Sequence, residues 1–181
     1  MKQTISIIII IAMCAMLASC GGVKNEVSDT EQPTLIDTMS LEEKVGQILF
    51  VRCVDDEQTD DLMSIKPGGI LMFGRDFEGL TKDEVKEKIQ SYQDKSDIPL
   101  IIGADEEGGT VVRVSSNPNL APEKFKSPQE IYNEGGMDAV VENATEKSEL
   151  LLSLGVNMNL APVADVSTNP SDYKRYVAFI L

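Results

Sequence analysis

Histidine is absent from all 181 residues. Its absence removes imidazole acid–base catalysis, imidazole metal ligands and serine–histidine nucleophile systems from anything this chain does by itself. Cysteine is nearly absent as well. Cys14, Cys20 and Cys53 are the three present, and their number and spacing support neither a disulfide framework nor a zinc site. Positive charge is scarce, with 16 Lys and Arg against 30 Asp and Glu and a formal charge of −14. A surface of that sign repels nucleic acid and anionic headgroups, so no nucleic-acid partner is expected. No G-x-G-x-x-G follows an apolar run and no G-x-x-x-x-G-K-[ST] occurs, so dinucleotide and phosphate-loop binding lack their motifs.

What is present begins with an address. Met1-Lys2-Gln3 supplies a positive start, and Ile5–Leu17 is an apolar run of signal-peptide length, too short to span a bilayer comfortably. It ends in Leu17-Ala18-Ser19-Cys20, which resembles the lipobox of bacterial lipoproteins. The resemblance implies that residues 1–19 are removed and that Cys20 becomes a lipidated N-terminus. The protein is then expected in the bacterial cell envelope, exported and anchored to a membrane. Residues 20–35 are polar, carry little to bury and read as a flexible tether.

From residue 36 to residue 181 the pattern is globular. Ser40-Leu41-Glu42-Glu43 and Thr81-Lys82-Asp83-Glu84 are capping boxes that open helices. Leu41, Val45 and Ile48 mark the apolar face of the first helix, and Val85, Ile89 and Tyr92 that of the later one. Strands are predicted at Ile48–Val51, Ile70–Phe73, Leu100–Ile102 and Val156–Val163, with a further short helix over Asp55–Ser64. A helix is predicted over Met137–Leu154, ended by Gly155. Val114–Gln129 reads as a long loop on the C-terminal side of a strand, where loops line sites. Cys53 is expected to be a buried structural thiol. Alternating strands and helices predict an α/β fold with a parallel sheet.

The stretch that organises the rest is Ile98–Arg113, I-P-L-I-I-G-A-D-E-E-G-G-T-V-V-R. Leu100–Ile102 has no polar alternation and suits a strand buried on both faces. It delivers Asp105, Glu106 and Glu107 into Gly108-Gly109, whose backbone freedom allows close approach of a ligand. The end of a strand is the rim where α/β folds bind ligands. A solvated acidic turn fits the same letters. Arg75 and Asp165 also follow predicted strands and are possible rim residues.

Four segments occur together and in order: M-S-L-E-E-K-V-G-Q-I-L-F (39–50), P-G-G-I-L-M-F-G-R-D-F (67–77), A-D-E-E-G-G-T-V-V-R (104–113) and G-V-N-M-N-L-A-P-V-A-D-V (155–166). They resemble the N-terminal domain of glycoside hydrolase family 3, most closely its bacterial β-N-acetylhexosaminidase branch, across about residues 36–172. The resemblance implies a partial (β/α)8 TIM-type barrel holding about the first four strand–helix repeats. It implies retaining hydrolysis of terminal β-linked N-acetylglucosamine with no metal or organic cofactor. It assigns Asp105 to holding sugar hydroxyls, places Arg113 near the same pocket, and leaves Glu107 as a second substrate-binding candidate. Thr110 stands where the family commonly has arginine, so the rim contact of that arginine is not carried over. In this branch an Asp–His pair follows the fifth strand and the nucleophilic aspartate a later one. Neither region matches here, and no catalytic residue is assigned. From Tyr173 onward the sequence departs from the family pattern, as a truncated or frameshifted product would, and the 181 residues alone are expected to lack turnover. Two other readings fit: a non-catalytic, lipid-anchored sugar-binding protein, and another family 3 specificity such as a β-glucosidase or β-xylosidase. A solute-binding lipoprotein of a transporter fits less well, because the ordered motifs match the hydrolases.

Overall fold

The computed structural model describes residues 34–163. The signal segment, Cys20, most of the tether and Asp165 lie outside them. The described residues fall into two units, one up to Asp37 and one from Thr38 on. In the first, the Asp37 carboxylate accepts from the Thr34 amide at 2.9 Å and its hydroxyl at 2.7 Å. This seeds the one-turn helix α1 (Leu35–Thr38).

The second unit alternates as the sequence predicts. Its elements are α2 (Leu41–Gln47), β1 (Phe50–Arg52), a 3-10 turn at Asp56–Gln58 leading into α3 (Thr59–Ser64), β2 (Gly69–Met72), α4 (Gly74–Phe77), α5 (Lys82–Gln93), β3 (Ile101–Ala104), α6 (Pro128–Leu154) and β4 (Met158–Asn159). All strand pairs are parallel, in the order β1-β2-β3-β4. Val51 lies opposite Ile70 and Ile70 opposite Ile102, while Ala104 lies opposite Asn159. Strands laid side by side in chain order form the wall of a (β/α) barrel; a doubly wound sheet would reverse its order at a switch point.

Local chemistry explains most boundaries. Ser40 and Thr81 cap α2 and α5 through the boxes read from the sequence. A third box, Ser127 with Glu130, opens α6 with Pro128 in its first turn. The helix therefore starts nine residues before the expected Met137 and takes in the last two residues of the expected loop. Gly136, at φ 69°, breaks α6 where the sequence placed its start, and Gly155, at φ 92°, ends it. Strand β4 is only two residues long, against the eight expected. Side-chain amides take over on either side of it. Asn157 Oδ1 accepts from Ile102 N at 2.8 Å and its Nδ2 donates to Leu100 O at 3.1 Å.

The core lies between one face of the sheet and helices α5 and α6. Ile70, Met72, Ile102 and Ala104 pack with Val85, Ile89, Tyr92, Leu151 and Leu154. Cys53 is buried as expected, its Sγ 3.1 Å from the Tyr92 hydroxyl. Burial pushes its thiol pKa up, which keeps it a packing residue rather than a nucleophile.

Two expectations are corrected. Strand β3 is not buried on both faces: Ile102 is fully buried, but Ile101 is 42% exposed. Successive residues point to opposite faces, and among the described residues helices cover one face only. On the other, the Phe50 ring lies across the sheet so closely that a Cβ on Gly103 would stand 2.5 Å from its Cζ. The apolar stripe of α2 is not its packing face either, since Leu41, Val45 and Ile48 are 72%, 48% and 81% exposed. At 3.6 residues per turn, Gly46, Gln47 and Glu43 lie on the opposite side, and these dock the helix. Gln47 Nε2 donates to Lys66 O at 3.0 Å, Glu43 pairs with Lys66 Nζ at 2.6 Å, and a Cβ on Gly46 would sit 2.2 Å from Ile65 O. That last contact is with backbone, which cannot swing aside. Gly46→Ala is expected to destabilise the chain by about 1–3 kcal/mol, and Leu41→Ser by less than about 0.5 kcal/mol, as read from urea unfolding midpoints.

Candidate functional site

The alternation of β3 continues past its last residue. Ile102, Ala104 and Glu106 are buried, whereas Ile101 is exposed and Asp105 and Glu107 are half-buried. Three consecutive carboxylates thus receive different surroundings from one geometric rule.

Glu106 is the one turned into the protein. Its Oε2 accepts from the amides of Arg113 at 2.8 Å and Val114 at 2.7 Å. Its Oε1 accepts from the Ser115 amide at 3.3 Å and from the Ser115 hydroxyl. Asn159 grips the same residue by its backbone, accepting from Glu106 N at 2.9 Å and donating to Glu106 O at 3.2 Å. A buried carboxylate needs such donors, and here they are the amides of the segment that returns from the turn.

Between the ends of this staple the chain reverses at Gly108 and Gly109, with φ of 103° and 67°. Val111 O accepts from Glu107 N at 3.0 Å and Gly108 N at 3.1 Å, and Phe125 O accepts from Gly109 N at 2.8 Å. A side chain on Gly108 would collide with Lys126 O at 2.2 Å, so both the angle and the space require glycine.

The reversal brings Arg113 to Asp105. Arg113 Nε and Nη2 lie 3.3 Å and 3.2 Å from Asp105 Oδ2, and both side chains are part-buried. Both contacts fall on Oδ2, and among the described residues Oδ1 is left to accept from a ligand. The Arg113 guanidinium also stands 5.7 Å from the centre of the Phe73 ring, and Arg52 stands 4.8 Å from the same ring. Arg52 and Phe73 come from the ends of β1 and β2, so the three strand ends converge there. The Glu107 carboxyl is pushed above its ordinary range, first by burial and then by the Asp105 charge, against the pull of Arg113 and Lys147.

The structure therefore brings Asp105, Arg113 and Glu107 together. Arg75 is half-exposed, its Nε 3.7 Å from Asp76 Oδ1; that Asp76 carboxylate is buried and also accepts from Phe73 N at 2.7 Å. No contact joins Arg75 to Asp105 among the described residues. Asp165 and Cys20 fall outside those residues. No group of three or more His, Cys, Asp and Glu among them could hold a metal ion. Sequence reasoning gave no role to Glu106, Asn159 or Lys147. For Glu106 the signal was available, as it shares parity with Ile102 and Ala104.

Comparison with known proteins decides the family. The sequence model of the glycosyl hydrolase family 3 N terminal domain matches residues 40–179. The chain belongs to glycosyl hydrolase family 3. Among curated relatives, it is 31% identical over 108 residues to a protein named Beta-hexosaminidase A from Pseudoalteromonas piscicida, covering 58% of this chain and 18% of that one. It is 23% identical over 113 residues to a Beta-hexosaminidase of Haemophilus influenzae, covering 62% of this chain and 32% of that protein. The chain thus spans a third or less of either relative. A solved family 3 β-N-acetylglucosaminidase from Paenibacillus sp. superposes with a TM-score of 0.64 at 26% identity, covering 73% of this chain and 26% of the other. A family 3 member from Mycobacterium smegmatis shares the fold, with a TM-score of 0.60 at 23% identity over 75% of this chain and 39% of its own. The expected wall of a TIM-type barrel is therefore the fold observed.

Glu106→Ala leaves three amide donors without their acceptor and is expected to cost at least about 3 kcal/mol. Urea unfolding of the variant beside the parent chain measures it; an unchanged midpoint would show that the staple is not holding the turn.

Proposed function

We propose that this family 3 chain forms the sugar-binding side of a β-N-acetylhexosaminidase site that takes terminal β-linked N-acetylglucosamine. The observation that carries the reading is Asp105. Its carboxylate directly follows β3 on the open side of the sheet, steadied on one oxygen by Arg113 and, among the described residues, free on the other. Charge-assisted hydrogen bonds from sugar hydroxyls to such a group are roughly twice as strong as neutral ones, and their geometry selects the ring orientation. The names of the relatives support the same substrate class. Arg113 holds the acceptor in place, and Glu107, half-buried at the same turn, is a second carboxyl within the site for a ring substituent. Retaining hydrolysis also needs a nucleophile and an acid–base group flanking the bond. In the resemblance these belong to later strands, so the contribution of these residues is recognition and orientation. Titration calorimetry of N-acetylglucosamine into the full chain tests the reading: heat that disappears in Asp105→Ala supports it, and no heat, or heat unchanged in that variant, rejects it.

We also propose that the protein is held at a bacterial envelope membrane through lipidated Cys20, supported by the lipobox-like Leu17-Ala18-Ser19-Cys20. Metabolic labelling with a radioactive fatty acid should mark the chain and fail with Cys20→Ser. Label retained in that variant would exclude this attachment.

A further inference from the structure

Lys147 is the one buried lysine among the described residues, 7% exposed on a helix whose neighbouring polar side chains face solvent. Burying an ammonium is costly, and burial does lower its pKa, against the opposing pull of Glu106 and Glu107. No ion pair within 4 Å is present to offset the cost among the described residues. Its Nζ instead donates to the backbone carbonyl of Glu107 at 2.8 Å and stands 5.6 Å from the centre of the Phe125 ring. It also lies 3.3 Å from where a Cβ on Gly108 would be, so the lysine fills space that the glycine leaves.

We infer that Lys147 is a positioning residue for the Asp105 site, acting through the Glu107–Gly108 peptide. The turn from Asp105 to Arg113 is tied to the segment that returns from it by Glu106 and to the loop before α6 by Gly109. Lys147 ties it to the body of α6, which is anchored in the core by Leu151 and Leu154. That pin sets the height of the turn above the helix, and with it where Asp105 and Glu107 are presented. Its charge also pulls on the Glu107 carboxyl, against the burial that raises that group's pKa.

The inference rests on the sugar-binding reading of Asp105, and the test separates the two. Lys147→Met keeps the length of the stem but removes donor and charge; Lys126→Met, whose ammonium pairs with exposed Glu134, is the control. In the full chain, Lys147→Met should speed amide hydrogen exchange across residues 105–113 about ten-fold while residues 69–72 keep the parent rate, and weaken N-acetylglucosamine binding by calorimetry about ten-fold. Lys126→Met should change neither. Parental exchange across 105–113 overturns the pin, and faster exchange with parental affinity reduces Lys147 to a structural residue. A parent chain that gives no heat overturns the sugar reading itself, whereas a binding parent with an equally tight Lys147→Met overturns the inference alone. Should Lys147→Met not fold by circular dichroism, Lys147→Gln, with a shorter polar end, carries the same comparison.

Discussion

One buried carboxylate organises the rim of this domain. Glu106 accepts from three successive amides and a hydroxyl of the segment that returns after Gly108-Gly109. Those donors need an acceptor once they are taken from water, and Glu106 needs donors for the same reason. Each therefore makes the other's burial tolerable. The geometric result is that Arg113 arrives beside Asp105 rather than in solvent. The site then follows from a structural necessity of its neighbour, since the residue with the least exposure places the two residues available to a ligand.

The same reasoning separates three carboxylates that are adjacent in the chain. A strand gives adjacent side chains opposite faces, so Glu106 joins Ile102 and Ala104 against the helices. Asp105 and Glu107 remain on the side where Phe50 and Ile101 are part-exposed. In a closed barrel of this kind that side is filled by layers of inward-pointing side chains. The strand-end rim, built from Arg52, Phe73 and Asp105, is where the three βα connections can converge on one ligand.

Much of this could be read beforehand. The capping boxes at Ser40 and Thr81, the buried face of α5 and the parallel alternation all reflect interactions within a few residues, and local chemistry determines them. The Asp105–Arg113 pairing was legible only through the family resemblance, because eight residues and a reversal separate the partners. The direction of α2 was misread. Leu41, Val45 and Ile48 have the right period for a buried stripe, but period alone does not say which side meets the sheet. A glycine contact with the Ile65 carbonyl outweighed it.

The sequence by itself determined the order and type of the strands and longer helices, the family and the rim position of D-E-E-G-G, since these depend on short-range periodicity and on motif order. Tertiary structure alone decided that Glu106 turns inward, that Asn157 and Asn159 side chains take over the edge of β3 beside a two-residue strand, and that Lys147 reaches across from α6 to a carbonyl 40 residues earlier. Each of those depends on which donors and acceptors are stranded away from water once distant elements pack, a quantity that no window of neighbouring residues contains.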